Sequence, residues 1–218
     1  MIISSASYRR LASRAPATIQ GGRAQYLSVG EAARVDARPS AHVFTDEAAK
    51  AFGAAAQTGV IDLDWSSGLG SSAPATTRNL LARYLVIREG EEFEFSAQAT
   101  SVLFYVIKGS GRSFQEDEVI EWKSGDAFLF SGGAAILNEA PGSDAVLFVV
   151  TDEPFVMMTG CSVPSFEESP VKPTHFEART IVARLQDIQA QREEMPAQQE
   201  DPAAQSERPP AQEILIFV

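Results

Sequence analysis

Five glycines set the frame of this chain. Gly90, Gly109, Gly111, Gly125 and Gly133 punctuate residues 79–151, where short β-branched or aromatic runs alternate with turn residues. Glycine is the residue that turns with positive φ without steric cost, so this punctuation predicts short strands on tight connections, the pattern of a β-sandwich or barrel. Strands are expected at Asn79–Arg88, Glu91–Ser96, Val102–Lys108, Val119–Trp122, Ala127–Phe130, Ala134–Asn138 and Ala145–Thr151. The turns between them are Lys108-Gly109-Ser110-Gly111, Ser124-Gly125-Asp126, Ser131-Gly132-Gly133 and Pro141-Gly142. Seven strands so joined make a compact antiparallel β-structure.

Composition narrows what such a fold can serve. The chain has 218 residues, of which 44% are hydrophobic, enough for one sizeable core with extended ends. A formal charge of -11 repels phosphate at long range, so neither nucleic acid nor an anionic membrane surface is expected as a partner. Apolar runs such as Ala145–Val150 are too short to span a bilayer, and no signal-peptide apolar core lies near Met1. Cys161 is the only cysteine, which excludes an internal disulfide and is compatible with a reducing compartment; a cytoplasmic location is expected. No Cys/His signature surrounds it, and it reads as a small apolar residue after the last barrel strand.

The flanks differ from the centre. Before Glu31 the chain carries Arg9, Arg10, Arg14 and Arg23 with several serines and no acid. That composition suits an organelle transit peptide or a solvated arm that wraps a neighbouring subunit; Pro16 and Gln20-Gly21-Gly22, which interrupt any long helix, favour the arm. Asp46–Ala56 reads as a short helix with Thr45 as N-cap. Phe176–Arg192 places Ile181, Val182, Leu185 and Ile188 on one stripe and reads as an amphipathic helix packed on the strands. Residues 189–210 are rich in Gln, Ala, Glu and Pro and read as a mobile linker, after which Ile214–Val218 looks like a strand. The organisation expected is an arm over 1–58, the β-domain over 59–160, a helical extension over 161–193, a linker over 194–211 and a terminal strand over 212–218.

Spacing inside the frame is more specific. From Gly90, five intervening residues lead to Ser96, one to Gln98, three to Val102 and six to Gly109. A second series runs from Gly125 and Asp126 through Ser131 and Gly133 to Ile136, and Tyr105-Val106-Ile107 precedes the first glycine pair. In these features residues 79–151 resemble a cupin domain, a mainly β, jelly-roll type antiparallel barrel. The order of arm, barrel, helix and linker is similar to the N-terminal half of gentisate 1,2-dioxygenase-like bicupins. That resemblance implies Ile214–Val218 as the first strand of a second barrel.

The same resemblance places metal ligands, His, His, Glu and His, at Ser96, Gln98, Val102 and Ile136. A hydroxyl and an amide compensate little of a divalent cation's dehydration, and two aliphatic side chains compensate none, so no tight transition metal and no other cofactor is expected. If Ser96, Gln98 and Val102 face inward, parity puts Glu94, Phe104, Val106, Ala134 and Asn138 on inner faces too. Glu94, Ser96, Gln98, Phe104 and Asn138 are then the candidate ligand contacts of an apolar pocket. The plainer alternative is that the polar ones bond one another and fill a dead site.

Other constellations are weaker. Gly109-Ser110-Gly111-Arg112-Ser113-Phe114 lacks the third glycine of a dinucleotide loop, and no nucleophile elbow or phosphate loop occurs. Asp62-Leu63-Asp64-Trp65 alternates like a solvated edge strand, and Glu116-Asp117-Glu118 reads as a solvent-facing hairpin tip. The two histidines, His42 and His175, lie outside the frame and read as surface or hydrogen-bonded residues.

Three functions follow as expectations. The first is a metal-free structural or assembly domain, the non-catalytic half of a bicupin dioxygenase-like protein, pairing as a homodimer or with a second cupin domain through the outward residues Leu103, Tyr105 and Ile107. The second is a small-molecule binding module using the pocket. The third is a metal-independent isomerase or lyase, for which Glu94 is the one candidate acid or base.

Overall fold

The computed structural model describes residues 41–194. The expected N-terminal arm (apart from residues 41–58), the linker beyond residue 194 and the terminal strand lie outside the described residues, while residues 189–194, read as the start of the linker, are helical. Within them, helix α1 (Thr45–Phe52) leads to β1 (Gly59–Asp62) and the one-turn α2 (Ser66–Leu69). There follow β2 (Leu81–Ile87), β3 (Glu92–Phe95), β4 (Ser101–Lys108), β5 (Ser110–Gln115), β6 (Glu118–Lys123), β7 (Ala127–Ser131), β8 (Ile136–Glu139) and β9 (Ala145–Thr151). Helix α3 (Glu153–Thr159), the three-residue β10 (Thr174–Phe176) and α4 (Ala178–Glu194) complete the order.

The strands form two antiparallel sheets rather than one closed barrel. The larger runs β1-β2-β9-β4-β7-β10 and the smaller runs β3-β8-β5-β6. Period-two alternation decides which side chains lie between them. In β4, Val102, Phe104 and Val106 are buried while Leu103, Tyr105 and Ile107 turn to the other face. Leu147 and Val149 of β9 and Phe128 and Phe130 of β7 join them from the same sheet. Phe95, Ile120, Trp122 and Ile136 come from the opposite one. Each fully buried Phe, Leu or Ile contributes about 1.5–3 kcal/mol, so this shared core is what holds the sheets face to face.

Three strands escaped the hydrophobic pattern. β5 lies where the sequence suggests only a turn: its inward residues are Gly111, Ser113 and Gln115, small or polar, so no apolar alternation marks it. Gly109, at φ 89°, reverses the chain from β4 into β5, and a Cβ there would meet the Asp144 carbonyl oxygen at 2.5 Å. β1 and β10 are short edges, too short to show a period. β1 ends at Asp62, so only the first of the two acids in Asp62-Leu63-Asp64-Trp65 belongs to the edge strand. Glu116, Asp117 and Glu118 are exposed around the β5–β6 turn, where Glu116 has φ 53°.

The helices also differ in detail. In α1, Thr45 is already helical and Phe44 holds the N-cap position, its carbonyl accepting from Ala48 N–H at 3.1 Å. The helix stops at Phe52, before Gly53, not at Ala56. α3 was not expected, although Pro154 in its first turn and left-handed Gly160 at its end are start and stop signals. It leaves Cys161 exposed beyond it, not packed as a small core residue. α4 forms, with Ile181 and Leu185 partly covered, but Val182 and Ile188 of the same stripe are 52% and 44% exposed, so the expected packing of the whole stripe on the strands is not seen. No described helix is long and apolar enough to cross a membrane.

Candidate functional site

The end of the sandwich where β3 stops and β4 and β8 begin gathers the positions singled out in the sequence. β3 pairs with β8, setting Phe95 opposite Ile136, and β4 pairs with β7 and β9, setting Val102 beside Phe130 and Thr151. Phe93, Phe95, Ala97 and Ala99 turn toward the core, whereas Glu94, Ser96, Gln98 and Thr100 are exposed. The expected parity of this segment is therefore off by one residue. Two large aromatic side chains gain most from burial, and a one-residue slip exchanges every side chain of a strand between faces.

Of the five candidate ligand contacts, Phe104 and Asn138 are fully buried, and Glu94, Ser96 and Gln98 face solvent. The pocket they were to line together is not assembled. At the four positions that replace metal ligands, Val102 and Ile136 lie inside and Ser96 and Gln98 outside. The residues that actually point inward there, Phe95, Ala97, Val102 and Ile136, carry no donor atom. A divalent metal does not fit this set. No group of three or more His, Cys, Asp or Glu suited to a metal occurs among the described residues.

A run of aromatic rings fills the interior. Phe95 packs edge-on to Phe104 at 5.9 Å, Phe104 stacks on Phe128 at 4.7 Å, and Phe128 meets Phe130 at 5.9 Å and Trp122 at 6.1 Å. The buried polar groups bond one another. Trp122 Nε1–H donates to Ser113 Oγ at 2.8 Å, and Ser113 donates to Asn138 Oδ1 at 2.7 Å. Asn138 Nδ2 donates to the carbonyls of Ile136 at 3.0 Å and Phe93 at 3.3 Å. Gln115 donates to the Ser131 carbonyl at 2.9 Å and accepts from Ser131 Oγ at 3.1 Å. Buried polar groups left unpaired are costly, and these are paired.

Arg83 closes the same end, and hydrophobic patterning could not have found it. Its side chain shares the face of Leu85 and Ile87, is 12% exposed, and lies over the Phe95 ring with Cζ 5.7 Å from the centroid. Nε donates to Asp62 Oδ1 at 2.7 Å; Nη1 donates to Thr151 Oγ1 at 3.1 Å and to Glu153 Oε2. The loop from Ser96 to Thr100 is pinned over this end by Asp152, which accepts from Thr100 N–H at 2.7 Å and from its hydroxyl. Beneath it Gly132 leaves no room: a Cβ there would lie 1.6 Å from the Ala99 carbonyl oxygen.

Clefts lie outside the core. One of about 480 Å³ is bounded by the β5–β6 hairpin, the loop at Pro141-Gly142 and the segment His175–Glu177. His175 Nε2 lies 3.1 Å from Asp126 Oδ2, and Asp126 also accepts from the N–H of Ala178 at 2.8 Å and of Lys123 at 3.0 Å. Burial alone would raise the Asp126 pKa, but these two N–H groups and His175 more than offset it and hold it below the ordinary aspartate value. Asp64 is lowered in the same way: burial opposes, and the N–H groups of Ala75 and Ser66 with the Ser66 hydroxyl prevail. His42 has other neighbours, stacking on Trp65 at 5.7 Å and meeting Phe44 edge-on at 4.6 Å.

Comparison with known proteins gives a distant likeness. No protein-family model matches the chain, and no curated protein does. Salicylate 1,2-dioxygenase from Pseudoaminobacter salicylatoxidans, solved as an adduct with gentisate, aligns with a TM-score of 0.40 at 19% identity, over 47% of this chain and 27% of that one. The protein Ylba from E. coli aligns with a TM-score of 0.39 at 15% identity, over 55% of this chain and 44% of its own. The chain thus spans less than half the length of either.

Proposed function

We propose that this chain is a metal-free cupin-type module whose work is structural: a packed two-sheet scaffold that supports assembly, with no catalysis in its interior. The observation that carries the reading is the state of that interior. The inward positions at the Phe95–Ile136 end are apolar, aromatic rings run from Phe95 to Trp122, and the buried polar groups bond one another. The work of such a core is packing rather than binding. The glycine frame from Gly90 to Gly133 supports the family assignment, since it serves turns and close approaches that a two-sheet antiparallel fold requires.

The surface offered for assembly is the outer face of the larger sheet. Helix α1 covers one part, with Ala51 packed on Val86 and Val146, and Ile107 lies against that cluster. Beyond it Leu103, Leu129 and Val150 line an apolar groove of about 370 Å³, and Tyr105 is 45% exposed. Charged residues are scarce in such a patch, as in the centre of protein interfaces. The occupant this reading names is a second copy of the chain, met face to face, or a second domain of the same fold.

Light scattering tests it. The chain is expected to run as a dimer that Leu103→Glu together with Tyr105→Glu converts to a folded monomer. A wild-type monomer at all concentrations, with no association when a second domain is supplied, would refute the assembly role. The two other readings have less support: Glu94, the one acid offered for an isomerase or lyase, faces solvent, and the polar pocket residues are outside the core or already bonded.

A further inference from the structure

Asp126 joins three elements through one carboxylate. It lies at the turn between β6 and β7, is 2% exposed, and bonds the N–H of Lys123 at the end of β6, the N–H of Ala178 at the start of α4, and the ring of His175 in β10. Beside it the β10–α4 segment is joined to the larger sheet through a short edge strand. β10 pairs with β7 over three residues, Thr174 to Leu129, His175 to Phe128 and Phe176 to Ala127. The contact nearest to it is equally local, the turn glycine Gly125 at φ 90° lying so close to α4 that an added Cβ would stand 3.0 Å from Ala178 Cβ.

The segment also forms a wall. His175 and Glu177 bound the cleft of about 480 Å³ whose opposite side is the β5–β6 hairpin, with Trp122 at its base. The charged side chains that share this cleft with the Asp126–His175 pair are Arg112, Glu121 and Lys123 from the hairpin and Glu177 from the segment itself. Arg112 is occupied by Glu139 at 2.7 Å, and Glu177 by Arg179. Arg112 and Glu177 are thus engaged with partners other than the Asp126–His175 pair.

We propose that β10 and the start of α4 form a releasable strap, fastened by Asp126 through His175 and the Ala178 N–H, and that its loosening opens the cleft beside Trp122 while both sheets stay intact. The core supports independence of the two motions. The cluster that binds the sheets includes residues of β2, β3, β4, β6, β7, β8 and β9 and none from β10 or α4. Elements with few buried apolar contacts open locally at lower free energy than the whole domain. Protonation of Asp126 removes its charge and turns one of its two oxygens into a donor, which weakens its hold on the backbone donors and the ring, so acid loosens the strap ahead of the sandwich.

Amide hydrogen exchange of His175→Ala beside the wild type at neutral pH tests the proposal, together with acrylamide quenching of Trp122 in a Trp65→Phe background. Exchange over residues 174–181 is expected to quicken about tenfold, the scale of one lost charge-assisted hydrogen bond, with β4 and β9 unchanged and Trp122 more readily quenched. Unchanged exchange in 174–181, or an equal rise through β4 and β9, would overturn it. Should His175→Ala fail to fold, the wild type taken from pH 7 into the range below about pH 4, where Asp126 takes its proton, and corrected for intrinsic exchange decides the matter. Protection lost first in 174–181 supports a strap, and loss in step with β4 and β9 refutes one.

Discussion

Arg83 and Phe95 come from different sheets and meet across one end of the sandwich, the guanidinium carbon 5.7 Å from the ring centroid. The cation is held there by Asp62 and Glu153, at the end of the fold where the inward positions are Phe95, Ala97, Val102 and Ile136. Arg83→Met keeps the aliphatic stem and removes the charge, taking the guanidinium from Asp62 and leaving Glu153 with the Thr151 hydroxyl as donor. The expected cost is about 1–3 kcal/mol, between the values for exposed and buried pairs. Urea unfolding of the single variants and of Arg83→Met with Glu153→Gln reads the coupling; additive effects would show that the pair contributes nothing.

Ser113 is a small residue with large obligations. It accepts from the Trp122 indole and donates to Asn138, both buried. Ser113→Ala deletes one oxygen and strands both partners, and is expected to cost about 2 kcal/mol. Ser110→Ala, at an exposed position of the same strand, is expected to stay within about 0.5 kcal/mol. Thermal melts of the two variants check the contrast.

Two glycines that look alike in the sequence differ in kind. An added Cβ at Gly132 would overlap the Ala99 carbonyl oxygen, whereas at Gly90 nothing lies within 4 Å and only φ 77° opposes a side chain. Gly90→Ala is expected to cost about 1–2 kcal/mol. Gly132→Ala forces the Ser96–Thr100 loop off its seat, and is expected to abolish a cooperative melt. Circular dichroism with temperature separates the two.

Acid should find Asp126 and Asp64 first. Both carboxyls are held below their ordinary values in the folded chain. A depressed folded pKa means stability that is fully present above the unfolded value, about 3.9, and is lost as pH falls through the folded one. Unfolding free energy is expected to be flat from neutral pH down to about 5 for these two groups and to fall steeply below about 4. In Asp126→Asn the acid slope should be shallower and the neutral-pH stability lower; an identical acid slope would remove Asp126 from the account.

The glycine frame made the number and direction of most strands legible, because turns with positive φ leave few residues to choose from. β5 was hidden since its inward face is Gly111, Ser113 and Gln115, and only the hydrogen-bond network explains their burial. In the segment from Glu92 to Thr100 the residues themselves alternate apolar and polar, with Phe93, Phe95, Ala97 and Ala99 on one side. That alternation pointed the correct way, and the motif spacing, which put Ser96 and Gln98 inside, did not. Arg83 and the Asp126–His175 pair were illegible for a different reason: each depends on partners far away in the chain, and nothing local in the sequence brings them together.

Elemental analysis of the full chain, purified without chelator and then dialysed against a mixture of iron, manganese, nickel and zinc, tests the central claim most directly. With Phe95, Ala97, Val102 and Ile136 pointing inward, the account predicts metal far below one equivalent and no shift in melting temperature on adding any of the four. About one equivalent of a single metal retained after gel filtration, with a matching rise in melting temperature, would contradict it.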